Sequence, residues 1–170
     1  MYGFLKPFVE NPSVAAFLEA RAAVFAEPGF NPWSSDLDGI EALLSEGDYD
    51  GIVSTIRSVV WPHYVLSPGV HLKLGFALSK IDQEREANVE RALAALLLRG
   101  IEMTGDGTEE QPLIVSRVSD EYDFLFAKQL RFVAQLPVES DGRRLDRIEV
   151  DDGDAVFFDV TDLQRSRLLA

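Results

Sequence analysis

Cysteine is absent from all 170 residues, which removes disulfides, thiolate metal sites and cysteine nucleophiles together. Histidine occurs only as His63 and His71, so a zinc or proton-transfer centre would need carboxylates from elsewhere in the chain. Basic residues are scarce: 16 Lys and Arg stand against 29 Asp and Glu, a net charge of -13. Such a surface repels phosphate backbones and anionic lipid, so neither nucleic acid nor a membrane is expected as a partner. No run approaches the roughly 18 apolar residues that cross a bilayer. The opening segment Met1-Tyr2-Gly3-Phe4-Leu5-Lys6-Pro7 lacks the charged and apolar regions of a secretory leader, so a cytoplasmic location is expected. Nucleophile-elbow, P-loop and dinucleotide-binding glycine patterns are missing too, and no catalytic set, cofactor or metal is expected.

What is present suits a self-sufficient fold. Hydrophobic residues make up 46% and charged residues 26%, close to globular averages. The length favours one domain over residues 1–170. Asn11-Pro12 reads as a helix cap followed by proline, ahead of an apolar stripe through Val14, Phe17, Leu18, Ala22 and Phe25. Ser35-Asp36-Leu37-Asp38 has the form of a capping box. After it, Leu37, Ile40 and Leu44, then Ile52, Ile56, Val59 and Val60, line two helices separated by Gly47-Asp48 and closed by Trp61-Pro62.

Ser67-Pro68 repeats the cap-then-proline device before Val70, Leu74, Ala77, Leu78 and Ile81. A further helix runs through Val89, Leu93, Leu96 and Leu97 and is expected to close at Arg99-Gly100. The two hairpins recur at about 35 residues, near the tetratricopeptide period. His71, Leu74, Gly75, Ala87 and Ala94 fall where such repeats bring helices close.

Beyond Gly105-Asp106-Gly107 the helical period stops. Leu113-Ile114-Val115 is a short β-rich run, and Ser119 with Asp120, Glu121 and Asp123 opens a helix whose apolar face reads Tyr122, Leu125, Phe126 and Leu130. Phe132, Ala134 and Leu136, then Ile148 and Val150, then Val156 to Val160, alternate around Asp141-Gly142 and the Asp151-Asp152-Gly153-Asp154 turn, giving three antiparallel strands. The expected architecture is α+β: N-terminal helical hairpins, tetratricopeptide-like, packed with a small, mostly antiparallel C-terminal sheet containing one helix. A boundary near residue 104 would separate a helical part, 1–104, from an α+β part, 105–170.

From Ser67 to about Asp162, the elements Gly105-Asp106-Gly107-Thr108, Pro112-Leu113-Ile114-Val115, Asp120-Glu121-Tyr122 and Phe158-Asp159-Val160 follow one another. In that order they resemble a bacterial family of uncharacterised proteins with a tetratricopeptide-like helix pair before an α+β region. The resemblance implies the fold and a bacterial origin. It brings no activity, and no catalytic residue is carried over.

Several residues are candidate sites. Asp106 sits in a loop with oxygen ligands at alternate positions, though without the full calcium-loop pattern; a glycine turn in which Asp106 bonds its own backbone is the structural alternative. Asp120, Glu121 and Asp123 can form an acid–base pair or simply stabilise a helix start. Glu121 and Tyr122 can also bond to the Gly105 turn. His71 is either an interfacial histidine or a ligand. Trp33, Trp61, Tyr64 and Phe30 flank the first hairpin, as an aromatic binding surface or as plugs at the ends of a core. The functional expectation is a non-enzymatic protein-binding or scaffolding module that contacts another protein or a second copy of itself. The alternatives are an enzyme using carboxylates and histidine in a helix–sheet cleft, and an acidic inhibitor or immunity protein.

Overall fold

The computed structural model describes residues 3–151 and 153–168; Met1, Tyr2 and Asp152, used above in reading the leader and the 151–154 turn, lie outside them. After a 3-10 turn over Gly3–Leu5 come α1 (Lys6–Glu10), α2 (Val14–Phe25), α3 (Ile40–Glu46) and α4 (Tyr49–Val59). A π-turn (Val60–Tyr64) containing a cis Trp61-Pro62 bond leads to α5 (Pro68–Lys80) and α6 (Glu84–Glu102). Then follow β1 (Leu113–Ile114), α7 (Ser119–Ala127), β2 (Phe132–Ser140), β3 (Arg143–Val150), β4 (Ala155–Asp159) and α8 (Thr161–Leu168). The fold is α+β: one sheet in the order β1-β4-β3-β2, with β1 parallel to β4 and the other pairs antiparallel. Among the described residues no helix is long and apolar enough to cross a membrane.

Local signals place the helices, with shifts that have physical causes. Asn11 does not cap α2, because Pro12 holds it extended; Ser13 does so, accepting from the Ala16 N–H at 3.2 Å. The capping box at Ser35–Asp38 does not form. Ser34 Oγ donates to Asp36 instead, and α3 begins at Ile40 after Gly39. α6 passes through Gly100 because the glycine serves packing and not termination: a Cβ there would lie 2.4 Å from the ring of Phe17 and 2.9 Å from that of Phe8. At Gly75 a Cβ would stand 3.0 Å from the Ala87 carbonyl, so α5 and α6 cross closely where the repeat spacing puts small residues.

Two apolar clusters result. One joins Ile40, Ile52, Ile56, Leu74, Leu78 and Ala87 of α3 to α6. The other joins Phe8, Phe17, Leu97 and Ile101 to Ile148, Phe158 and Leu163, so the main core runs across position 104. Arg21 straps this core from α2, donating to the Val115 carbonyl at 3.1 Å and to Asp162 at 2.8 Å.

The largest departure from the sequence reading concerns α7 and β2. The buried residues of α7 are Asp120, Glu121, Phe124 and Leu125, while Tyr122 is 40% exposed and Phe126 81%. Ladder partners share a face in an antiparallel pair. Gln135 lies opposite Ile148 and Pro137 opposite Asp146, while Ile148 and Asp146 pair with Val156 and Phe158 of β4. Gln135 and Asp146 therefore point toward the helices, whereas Ala134 and Leu136 occupy the outer face. An irregularity between Phe132 and Ala134 changes the phase of the strand at its start.

Candidate functional site

The buried start of α7 gathers most of the polar side chains enclosed in the molecule. Asp120 has no exposed surface. One of its oxygens accepts from the backbone N–H groups of Ser116 (3.2 Å) and Arg117 (2.9 Å), and the other from the Ser67 hydroxyl (2.9 Å). Ser119 supplies no side-chain cap. Ser67 does not cap α5 either, being turned to Asp120; Asp123 does so from α7, accepting from the Gly69 N–H at 2.8 Å. Burial pushes the Asp120 carboxyl up to about 7, with the charge of Asp123 adding and the Ser67 bond opposing.

One residue further, Glu121 also has no exposed surface. The Gln135 amide nitrogen donates to Glu121 Oε2 (3.1 Å) and to Asp146 Oδ2 (2.8 Å), while the Gln135 oxygen accepts from the Tyr122 hydroxyl (2.6 Å). The second oxygen, Glu121 Oε1, is buried without a donor. Burial, then the charge of Asp146 and a hydrogen bond with it, then Asp120, push the Glu121 carboxyl up to about 10. The same burial and carboxylates raise the Tyr122 phenol. The bond expected from Glu121 or Tyr122 to the Gly105 turn is not made, because that turn satisfies itself. Asp106 accepts from the Thr108 N–H (3.0 Å) and hydroxyl (2.7 Å), which lowers its pKa, and the N–H groups of Asp106 and Gly107 meet the Gln111 carbonyl. Among the described residues no group of three or more acids and histidines could hold a metal ion.

Arg117, just before α7, is 7% exposed and binds backbone. It donates to the carbonyls of Asn31 (3.0 Å), His63 (3.2 Å) and Ser34 (2.7 Å), with its guanidinium 4.2 Å from the centre of the Tyr64 ring. Burial lowers its pKa. Tyr64 is buried and donates to the Ser34 carbonyl. His63 Nδ1 accepts from the Asn31 N–H at 3.0 Å. Trp61 packs on Phe4, and the Trp33 indole donates to the Leu163 carbonyl at 3.2 Å. The structure thus uses Trp33, Trp61 and Tyr64 to fasten loops to the body of the fold. His71 is buried in the α5–α6 junction: Nε2 must donate to the Val65 carbonyl (3.0 Å), leaving Nδ1 to share a proton with Glu90 (2.6 Å).

Of the sequence candidates, Glu121 and Tyr122 come together through Gln135 and Tyr64 meets Arg117, while the Trp33 N–H donates to Asn31, Trp61 packs on Phe4, His71 bonds Glu90 and Val65, and Asp106 bonds Thr108. Residues that the reading missed are Gln135, Asp146, Ser116 and Arg117. Asp146 had a signal, since it continues inward the Ile148–Val150 alternation by one more period of two. Gln135 had none, lying out of phase with the apolar residues of its own strand.

Part of the aromatic exposure gathers beside α7. Of the nine large apolar side chains exposed among the described residues, Tyr122 and Phe126 on α7 and Phe132 at the start of β2 lie on the helix side, with the Tyr122 and Phe132 rings 5.5 Å apart, while Leu136 lies on the outer face of the sheet. β2 is also an edge strand of the sheet, as β1 is at the other end. No family model, curated protein or solved structure matches the chain, so function is argued from this geometry.

Proposed function

We propose that the protein is a non-enzymatic binding module that docks an extended, basic segment of a partner protein along β2 and over Tyr122, Phe126 and Phe132. The observation that carries this reading is the orientation of α7, which encloses Asp120 and Glu121 and presents the rings of Tyr122 and Phe126 to solvent. Exposed apolar surface beside the free edge of a strand is suited to strand addition, with backbone hydrogen bonds supplying affinity and side-chain contacts supplying specificity. The net charge of -13 favours a basic partner over a second copy, which would bring equal negative charge to the same face. Enclosure of Asp120 and Glu121 also favours binding over acid–base catalysis, since neither carboxylate can touch a substrate in this conformation.

The test uses synthetic strand-forming peptides that alternate valine or phenylalanine with lysine, and the same peptides with glutamate in place of lysine. Amide shift perturbation should map the basic peptide to β2 and α7, and Phe126→Asp should weaken it at least tenfold. Perturbation elsewhere, no preference for the basic peptide, or a dimer by sedimentation that Phe126→Asp dissolves would overturn the reading.

A further inference from the structure

The carboxyl groups of Glu121 and Asp146 accept from one and the same amide nitrogen, that of Gln135. Around them the remaining charge is negative or engaged elsewhere. On α7, Asp120 is adjacent in sequence, and Asp123 turns to Gly69 of α5, where Lys73 is the near cation. Arg117 spends its guanidinium on the carbonyls of Asn31, Ser34 and His63. On β3 the flanking Arg144 and Arg147 pair with Glu139 and Glu149, and on β4 the ladder partner of Asp146 is the fully buried Phe158. Two enclosed carboxylates without a cation repel strongly, and a proton held between them removes the repulsion. The orphan Glu121 Oε1 is the atom available to carry it.

We propose that Glu121 and Asp146 share one proton, and that this proton latches α7 onto β2 and β3, so the docking face exists only while it is held. The link to the face is direct: Gln135, which bridges the acids, also accepts from Tyr122, whose ring stacks near Phe132. Loss of the proton leaves two like charges facing each other beneath the helix, and relief requires α7 to lift and admit water. Lifting separates Tyr122 from Phe132 and divides the aromatic face. This inference rests on the docking reading for its functional meaning, while the latch itself is tested without a partner.

Hydrogen–deuterium exchange of the α7 amides, corrected for the intrinsic base-catalysed rate, reads the latch. Above about pH 7, where Asp120 has given up its own proton, opening that releases one proton makes the protection of Phe124 and Leu125 fall by about tenfold per pH unit between pH 8 and 9 in the unmodified protein. Glu121→Gln, which keeps an N–H where the shared proton was, should make that dependence flat, and Asp146→Asn, which leaves burial alone to hold the Glu121 proton, should make it shallower. Asp106→Asn, in the remote turn, should leave it unchanged. A second measurement needs no substitution: the carboxyl carbon of Glu121 should hold its protonated chemical shift across this range. Constant protection in the unmodified protein, the same slope in both variants, or an ionised Glu121 carboxyl at pH 6 would overturn the proposal. A latch that behaves as expected, with no peptide bound at β2, would instead defeat the docking reading alone.

Discussion

Asp123 caps α5 from 54 residues further along the chain than Gly69, its carboxylate accepting a 2.8 Å hydrogen bond from the Gly69 backbone N–H. The start of α5 is thereby made conditional on α7. A Cβ at Gly69 would lie 2.2 Å from Asp123 Oδ1, so the cap also requires glycine beneath it.

Asp123→Ala should therefore lower stability by about 1 kcal/mol, the usual value of a lost N-terminal cap. Gly69→Ala should do at least as much damage by displacing the carboxylate. In urea unfolding the double variant should lose less than the two single losses added, because the alanine methyl meets no carboxylate once Asp123 is gone. Strict additivity would show that the contact carries no energy.

Arg117 holds three carbonyls from two loops with one side chain, and this predicts a cost unlike that of a surface arginine. Arg117→Met keeps much of the volume but leaves the carbonyls of Asn31, Ser34 and His63 without their donor, for a loss of about 2–4 kcal/mol. Arg117→Lys should recover less than half, since an ammonium cannot spread over the same fork. Denaturant midpoints compare the three proteins, and amide exchange at 31–36 should quicken in both variants.

The carboxyl groups of Asp120 and Glu121 set the direction of the pH dependence. In the fold they rise from 3.8 to about 7 and from 4.5 to about 10. The folded state thus keeps protons that the unfolded chain releases, and stability falls wherever that difference exists. The contribution is complete below the unfolded values and is lost as pH rises through about 7 for Asp120 and about 10 for Glu121. Stability at pH 5 should exceed that at pH 8 by on the order of a few kcal/mol. Glu121→Gln should stabilise the protein at pH 8 and change it little at pH 4. A profile rising from pH 5 to 8 would contradict this assignment.

Gly100 offers a test of packing. Gly100→Ala places a methyl group into the rings of Phe17 and Phe8, so it should destabilise by about 1–3 kcal/mol despite the better helix propensity of alanine. Gly39→Ala has open space before it and should be close to neutral. Thermal melting of the two variants separates close contact from propensity.

How far the sequence reached can be seen in these same residues. Helical spacing gave α3 to α6, since Ile52, Ile56, Leu74 and Leu78 had only one face on which to gather, and alternation gave β3 and β4. The spacing of α7 misled because it counts apolarity alone. Tyr122 and Phe126 formed the more hydrophobic stripe, yet Phe124 and Leu125 meet the sheet, and the acids follow them inward because neighbouring positions on a helix turn together. The candidate site was half legible for that reason: Glu121 and Tyr122 were visible as an acidic helix start, but Gln135, which joins them to Asp146, is reached only through strand register. Gly100 shows the same limit, as glycine reads as a stop until the rings that need its missing side chain are in place.

The strap from Arg21 to Val115 and Asp162, together with the Trp33 bond to Leu163, also constrains how the molecule is made. Synthesis adds about 5–20 residues per second, so α2 emerges on the order of ten seconds before the segment that completes its surroundings. Leu163 is wholly enclosed in the main core. During that interval α3 to α6 can close on a cluster drawn only from themselves, while Phe8 and Phe17 have α6 to pack on but not yet the sheet and α8 that complete the main core. The nascent chain therefore passes through a stage in which its oldest segment is the last to settle, and that segment is where a chaperone would find purchase.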